Sequence, residues 1–123
     1  MSVVKQQAEH LIDRLIAAYN ARDADAFANC FADDAVIYEH PNFPKQVQKA
    51  EFLEYYVKLF KEFPQNHTER LYRAVIDNRV IDHELVMRTP ESKPFEVLTI
   101  YEVRNNLIQR VDFVRNTTTA WKV

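Results

Sequence analysis

Five side chains that bind ligands or carry protons, His83, Thr99, Tyr101, Arg110 and Asp112, fall in three strand-like runs near the end of the chain. They occupy positions that an ordinary core would fill with leucine or valine. Imidazole and carboxylate titrate, guanidinium stabilises an anion, and hydroxyls orient a carbonyl, so together they suit proton transfer on a small molecule held in a cavity. His83 shares a face with Ile81, Leu85 and Met87, and period-two alternation therefore expects an inward imidazole with Leu85 and Met87 as ligand contacts. The plainer reading of His83 is a buried histidine satisfied by backbone or tyrosine. Thr99 and Tyr101 lie one strand away. Asp112 has two readings. Simple alternation packs Leu107, Val111 and Phe113 and leaves Arg110 and Asp112 as an exposed pair worth under about 1 kcal/mol. A one-residue slip turns both inward and makes Asp112 a desolvated base. Glu39-His40, just before Pro41, stand either at the pocket mouth or at a solvated strand end. A metal set of His40, His83 and Asp112 has the right ligand types but no local spacing motif, so no metal is expected.

These groups need elements to carry them. From Ser2, Val4, Ala8, Leu11, Ile12, Leu15, Ile16 and Tyr19 recur at helical spacing to about Asn20. Asp23 caps a short second helix carrying Phe27, Cys30 and Phe31, which Asp33-Asp34 ends before a strand over 35–40. Pro41 and Pro44 allow at most a short edge strand, and a third helix over 49–63 places Phe52, Tyr56, Leu59, Phe60 and Phe63 on one stripe before Pro64. Tyr19 and Tyr56 are helix-face packing residues within reach of a ligand. Strands follow at 67–77, 79–89, 94–104 and 107–116. Helices first and sheet last give an α+β class in which the sheet curls around the helices into a cone with an internal pocket. On the third of these strands Phe95, Val97, Thr99, Tyr101 and Val103 share one face, while Leu98 and Ile100 make the other apolar as well. A second apolar face predicts a homodimer through the outer sheet face, the alternative being scattered surface residues.

Composition removes several classes of activity. A length of 123 residues with 47% apolar and 28% charged residues fits a single domain, 1–123. Net charge of −2 without charge blocks argues against nucleic acid and anionic membranes as partners. No long apolar run or leader-like start is found, so a cytoplasmic protein is expected. Cys30 is the only cysteine, which excludes an intrachain disulfide. Glycine is absent. P-loops, dinucleotide-binding fingerprints and nucleophile elbows all need it, so nucleotide-dependent and serine-hydrolase chemistry is excluded and no cofactor is expected. Turns demanding positive φ must then use Asp77-Asn78 and Asn105-Asn106.

The stretch from Ala17 to Phe27, followed by Phe31-Ala32-Asp33-Asp34-Ala35-Val36, resembles the opening of the nuclear transport factor 2-like superfamily. Val80-Ile81-Asp82-His83-Glu84 and the run Ile100 to Val111 resemble its SnoaL-like, steroid delta-isomerase-like branch. The resemblance covers nearly the whole chain. It implies a cone-shaped, cystatin-like α+β barrel, three helices in a strongly curved, mostly antiparallel sheet, with a deep pocket and commonly a homodimer. Its register turns Ile108, Arg110, Asp112 and Val114 toward that pocket. Ketosteroid isomerases carry a tyrosine donor where Leu15 stands, a protonated aspartic acid where Thr99 stands, and a general-base aspartate at Glu39 or His40. Strict 3-oxosteroid isomerisation is therefore not expected. Limonene epoxide hydrolases use a last-strand aspartate that coincides with Asp112, but their Arg-x-Asp becomes His83-Glu84-Leu85.

The resulting expectation is a pocket protein for a small apolar, carbonyl-bearing molecule, with isomerisation, cyclisation or hydration by proton transfer. Asp112, His83, Glu39 and His40 are its catalytic candidates. Arg110, Thr99, Tyr101, Tyr19, Tyr56, Leu85, Met87 and Val114 are its ligand-binding candidates. The alternatives are a noncatalytic ligand binder and a protein-interaction module using the outer sheet face.

Overall fold

The computed structural model describes residues 3–40 and 47–115. Helix α1 (Val3–Asn20) buries Ala8, Leu11, Ile12, Leu15 and Ala18 along one stripe. Its end forms two backbone bonds, Arg22 N–H to Tyr19 O and Asp23 N–H to Ala18 O, around Arg22 at φ 54°. This is the left-handed helix ending that glycine normally supplies. Helix α2 (Ala24–Ala28) is capped by the Asp23 carboxylate, which accepts from Ala26 N at 3.1 Å. Helix α3 (Lys49–Glu62) buries Phe52, Leu59 and Phe60.

The strands are β1 (Phe31–His40), β2 (Val47–Gln48), β3 (His67–Ile76), β4 (Arg79–Met87), β5 (Phe95–Arg104) and β6 (Leu107–Val114). They form one sheet in the order β2-β1-β6-β5-β4-β3, with β1 and β6 parallel and every other pairing antiparallel. The sheet is open, with β2 and β3 at its edges. Register shifts interrupt β1/β6, β3/β4 and β5/β6, and such extra residues bend and twist strands, here curling the sheet around the helices. In the turns, Asp77, Asn105 and Asn106 adopt φ of 51°, 54° and 58°, the positive values a chain without glycine must place on aspartate and asparagine. Two boundaries differ from the sequence reading. Phe31 opens β1 instead of closing α2, and Asp33-Asp34 lie exposed within the strand, at the shift between Phe31 and Val36.

Two polar clamps fix α1 against the sheet. The Asn20 side chain donates to Thr68 O at 3.1 Å and accepts from Thr68 N at 2.8 Å, which satisfies edge-strand backbone that would otherwise face the helix. Arg73 on β3 grips its cross-strand partner Asp82 through Nε–Oδ1 at 2.6 Å and Nη2–Oδ2 at 2.9 Å, and its Nη1 reaches Asp13 of α1 at 2.7 Å. Asp82 is fully buried. Its carboxylate is tolerated there because both oxygens accept charge-assisted bonds. Asp82→Ala removes them and leaves the Arg73 guanidinium with only its contacts to Asp13 and Glu9 of α1, so chemical denaturation is expected to show a loss of about 3 kcal/mol. An unchanged unfolding midpoint would contradict this role.

Candidate functional site

Cross-strand partners share a face of a sheet. Glu84 pairs with Val97, Asp82 with Thr99, Val80 with Tyr101, Tyr101 with Val111, and Thr99 with Phe113, so all of these look onto the concave side. The parallel pairing continues the ladder through Ile37–Val111 and Glu39–Phe113. Between this face and the helices lies a cavity of about 60 Å³, room for a small molecule. Aromatic rings build most of its wall. Tyr19, Phe27, Phe31, Phe52 and Tyr56 pack edge-on or tilted, with centroids 4.7–6.2 Å apart.

Polar groups enter from two sides. Glu84, 5% exposed, accepts from Thr68 Oγ1 at 2.7 Å. Burial pushes its carboxyl up to about 7, with neighbouring Asp82 adding to the rise; hydrogen bonds from Thr68 and Tyr101 and the Arg73 charge oppose it. Burial also raises the phenols of Tyr19, Tyr56 and Tyr101, keeping them protonated donors. On the other side, the Arg88 Nη1 donates to Asn66 Oδ1 at 2.8 Å and to Tyr19 Oη at 3.3 Å, and Arg88 Cζ sits 4.8 Å from the Phe95 ring centroid. Arg115 Nε lies 2.9 Å from Glu39 Oε1, with both side chains 5% exposed, and its guanidinium covers Phe113. Burial raises the Glu39 carboxyl and Arg115 opposes that rise.

Of the residues expected from the sequence, Tyr19, Tyr56, Thr99 and Tyr101 line the cavity. Glu39 is buried on the concave face beside Arg115, and His40 is exposed. His83 is not inward. It lies half-exposed on the outer face, Nε2 2.6 Å from Glu96 Oε1, because the register that pairs Asp82 with Thr99 and Glu84 with Val97 turns Ile81, His83, Leu85 and Met87 outward. Arg110 and Asp112 are outside too. They form a bidentate surface pair at 2.8 and 3.0 Å, with Arg110 stacked on Tyr38 at 4.2 Å, and Val114 shares their face. On β6 simple alternation holds, and the inward register implied by the family resemblance does not. Leu85, Val114 and His83 instead border a shallow outer groove. Sequence reasoning missed Glu84, Arg88 and Arg115. The available signal was β5, whose inward face was identified correctly, since any pairing that opposes Asp82 to Thr99 carries Glu84 inward. The greater hydrophobicity of Ile81-Leu85-Met87 pointed the wrong way.

Among the described residues, no three His, Cys, Asp or Glu side chains cluster to hold a metal ion, and no helix is long and apolar enough to cross a membrane. The family profile of the SnoaL-like domain matches residues 12–111. No curated protein matches the chain. Among solved structures, an uncharacterised cystatin-fold protein from Novosphingobium aromaticivorans is 27% identical over 88% of this chain and 97% of its own, with a TM-score of 0.76. A protein assigned as a ketosteroid isomerase from Kribbella flavida is 17% identical over 92% of this chain and 80% of its own, at TM-score 0.75. One assigned as a polyketide cyclase from Sinorhizobium meliloti is 22% identical over 85% and 93%, at TM-score 0.69. The last two likenesses establish fold alone.

The raised carboxyl of Glu84 has a consequence for stability. The folded state holds the proton more tightly than the unfolded chain, so its stabilising contribution is full below the usual carboxylate range and is lost as pH rises through about 7. Glu84→Gln is neutral at every pH. Thermal unfolding of this variant should therefore show it more stable than the parent at pH 8, by about 1–3 kcal/mol, with the advantage shrinking toward pH 5. A difference independent of pH would show that Glu84 ionises normally.

Proposed function

The chain belongs to the SnoaL-like domain family, and from that premise we propose that it is a cofactor-independent enzyme moving a proton on a small, largely apolar, carbonyl-bearing molecule. The observation that supports this is Glu84, a buried carboxylate pushed up to about 7 within an aromatic-walled cavity. A base of that strength is substantially ionised at neutral pH yet strong enough to take a proton from carbon beside a carbonyl. Thr68, donating at 2.7 Å, fixes one carboxylate oxygen, and Tyr101 is a second hydrogen-bond partner that orients the group. When a C–H proton passes to Glu84, negative charge moves onto the carbonyl oxygen, and a buried phenol of Tyr56 or Tyr101 donates to it. Return of the proton from Glu84 to a different carbon completes an isomerisation. Ring closure of the same enolate onto a second carbonyl completes a cyclisation.

The cavity selects small, flat ligands, since Phe27, Phe52 and Tyr56 close it from the helix side. The homodimer remains part of this reading, supported by the half-buried Ile81, Leu98 and Ile100 on the outer sheet face.

Deuterium exchange at the carbons beside the carbonyl of 2-cyclohexenone, followed by NMR, tests the base. The wild-type chain is expected to accelerate exchange over buffer, with a rate rising as pH passes through about 7. Glu84→Gln should reduce it about 100-fold or more, while His83→Ala and Asp112→Asn leave it nearly unchanged. Saturable binding of the enone without exchange would identify a noncatalytic ligand-binding protein instead. Exchange lost in Asp112→Asn would return the base to the outer face.

A further inference from the structure

Among the described residues, the charged side chains lining the cavity are Glu84, Arg88 and Arg115, and they are not equally partnered. Arg115 has Glu39 beside it at 2.9 Å. The partners of Arg88 are neutral, Asn66 Oδ1 and Tyr19 Oη with the Tyr55 phenol also in hydrogen-bonding contact, and its buried Nε has no hydrogen-bond acceptor among the described residues. No carboxylate of the described residues lies within ion-pair distance of it. The Arg88 side chain is half-buried, with its Nε enclosed. Its flat face is already occupied by the Phe95 ring at 4.8 Å. Stacking of that kind holds the group rigid and leaves its N–H edge as the free binding surface. Among the described residues, no anion stands at this point of the cavity.

We propose that the cavity is built for a small aromatic or conjugated carboxylate, whose carboxylate pairs with the edge of Arg88 while its ring lies among Tyr19, Phe27, Tyr56 and Phe95. This rests on the cavity being the ligand site, as above, and narrows the substrate class to an organic anion. The layout also places the two ends sensibly. Glu84 and Val86 on β4 and Arg88, in the bend just past its end at Met87, line the same cavity. Four residues of extended chain span about 13 Å between their α-carbons, and the two side chains reach inward from either end of that span. A ligand anchored by its carboxylate at Arg88 thereby presents its far side to Glu84, the proposed base. An uncharged ligand of the same shape would leave the half-buried guanidinium without an anion, which is the kind of penalty that gives polar sites their discrimination.

The probes are matched in shape and differ in charge: benzoate against benzamide, and cinnamate against cinnamamide, titrated calorimetrically into the full chain at neutral pH. Each acid is expected to bind about 10–100-fold more tightly than its amide. Arg88→Gln should erase that preference, bringing acid and amide to similar affinity, while Arg88→Lys keeps part of it. Thermal unfolding of each variant checks that it is folded. Equal affinity for acid and amide in the wild-type chain overturns the proposal, as does a preference that survives in Arg88→Gln or no saturable binding of either acid. Glu84→Gln should still bind benzoate, and a wild-type chain that binds benzoate without catalysing enone exchange would count against the proton-transfer reading alone and leave the anion site standing.

Discussion

Burying a carboxylate without a contacting cation is the constraint around which this interior is organised. Glu84 sits on the concave face of the sheet, 5% exposed, with the Thr68 hydroxyl as its closest partner at 2.7 Å. Desolvation therefore governs its titration, and neighbouring charges only modulate it. Position 84 cannot drift to the solvent side because the neighbouring row is locked. Arg73 and Asp82 face each other across β3 and β4, and a slip of one residue would break both of their hydrogen bonds and turn a paired ion into an exposed orphan. Thr68 is held in turn by the Asn20 amide at the end of α1. A helix end, an edge strand and an ion pair thus combine to keep one acid in a dry place.

The cavity has polarity as well as shape. Acid and phenols gather around Glu84 and Tyr101, while Arg88 and Arg115, each stacked on an aromatic ring, lie just past the ends of β4 and β6, Arg115 beside Glu39. Rings that provide the hydrophobic wall also orient the cations. This economy follows from the composition: with eight phenylalanines and six tyrosines in 123 residues, aromatic side chains are the main means of closing the space between helices and sheet.

The element order, the helical stripes and the two positive-φ turns at Asp77 and Asn105-Asn106 were legible from the sequence because each is a local signal: period, cap and turn chemistry. The inward face of β5 was legible for the same reason, since Phe95, Val97, Thr99, Tyr101 and Val103 alternate cleanly. The site was less legible because β4 violates the usual bias. It turns Asp82 and Glu84 in and Ile81, Leu85 and Met87 out, at a cost that only tertiary partners, Arg73 and Thr68, offset. Those partners lie on another strand, and the register that brings them together depends on a bulge between Arg70 and Tyr72 that no single residue announces. On β6 the simpler rule was right, and Asp112 makes a surface pair with Arg110.

Proton transfer in this cavity depends on the ionisation of one side chain, Glu84. Carbon-13 NMR of the glutamate carboxyls, titrated between pH 4 and 9 and assigned with Glu84→Gln, measures it directly. The Glu84 resonance is expected to titrate with a midpoint near 7, well above that of the exposed glutamates. A midpoint in the ordinary carboxylate range would mean that water reaches the group freely, and the cavity as described would not exist.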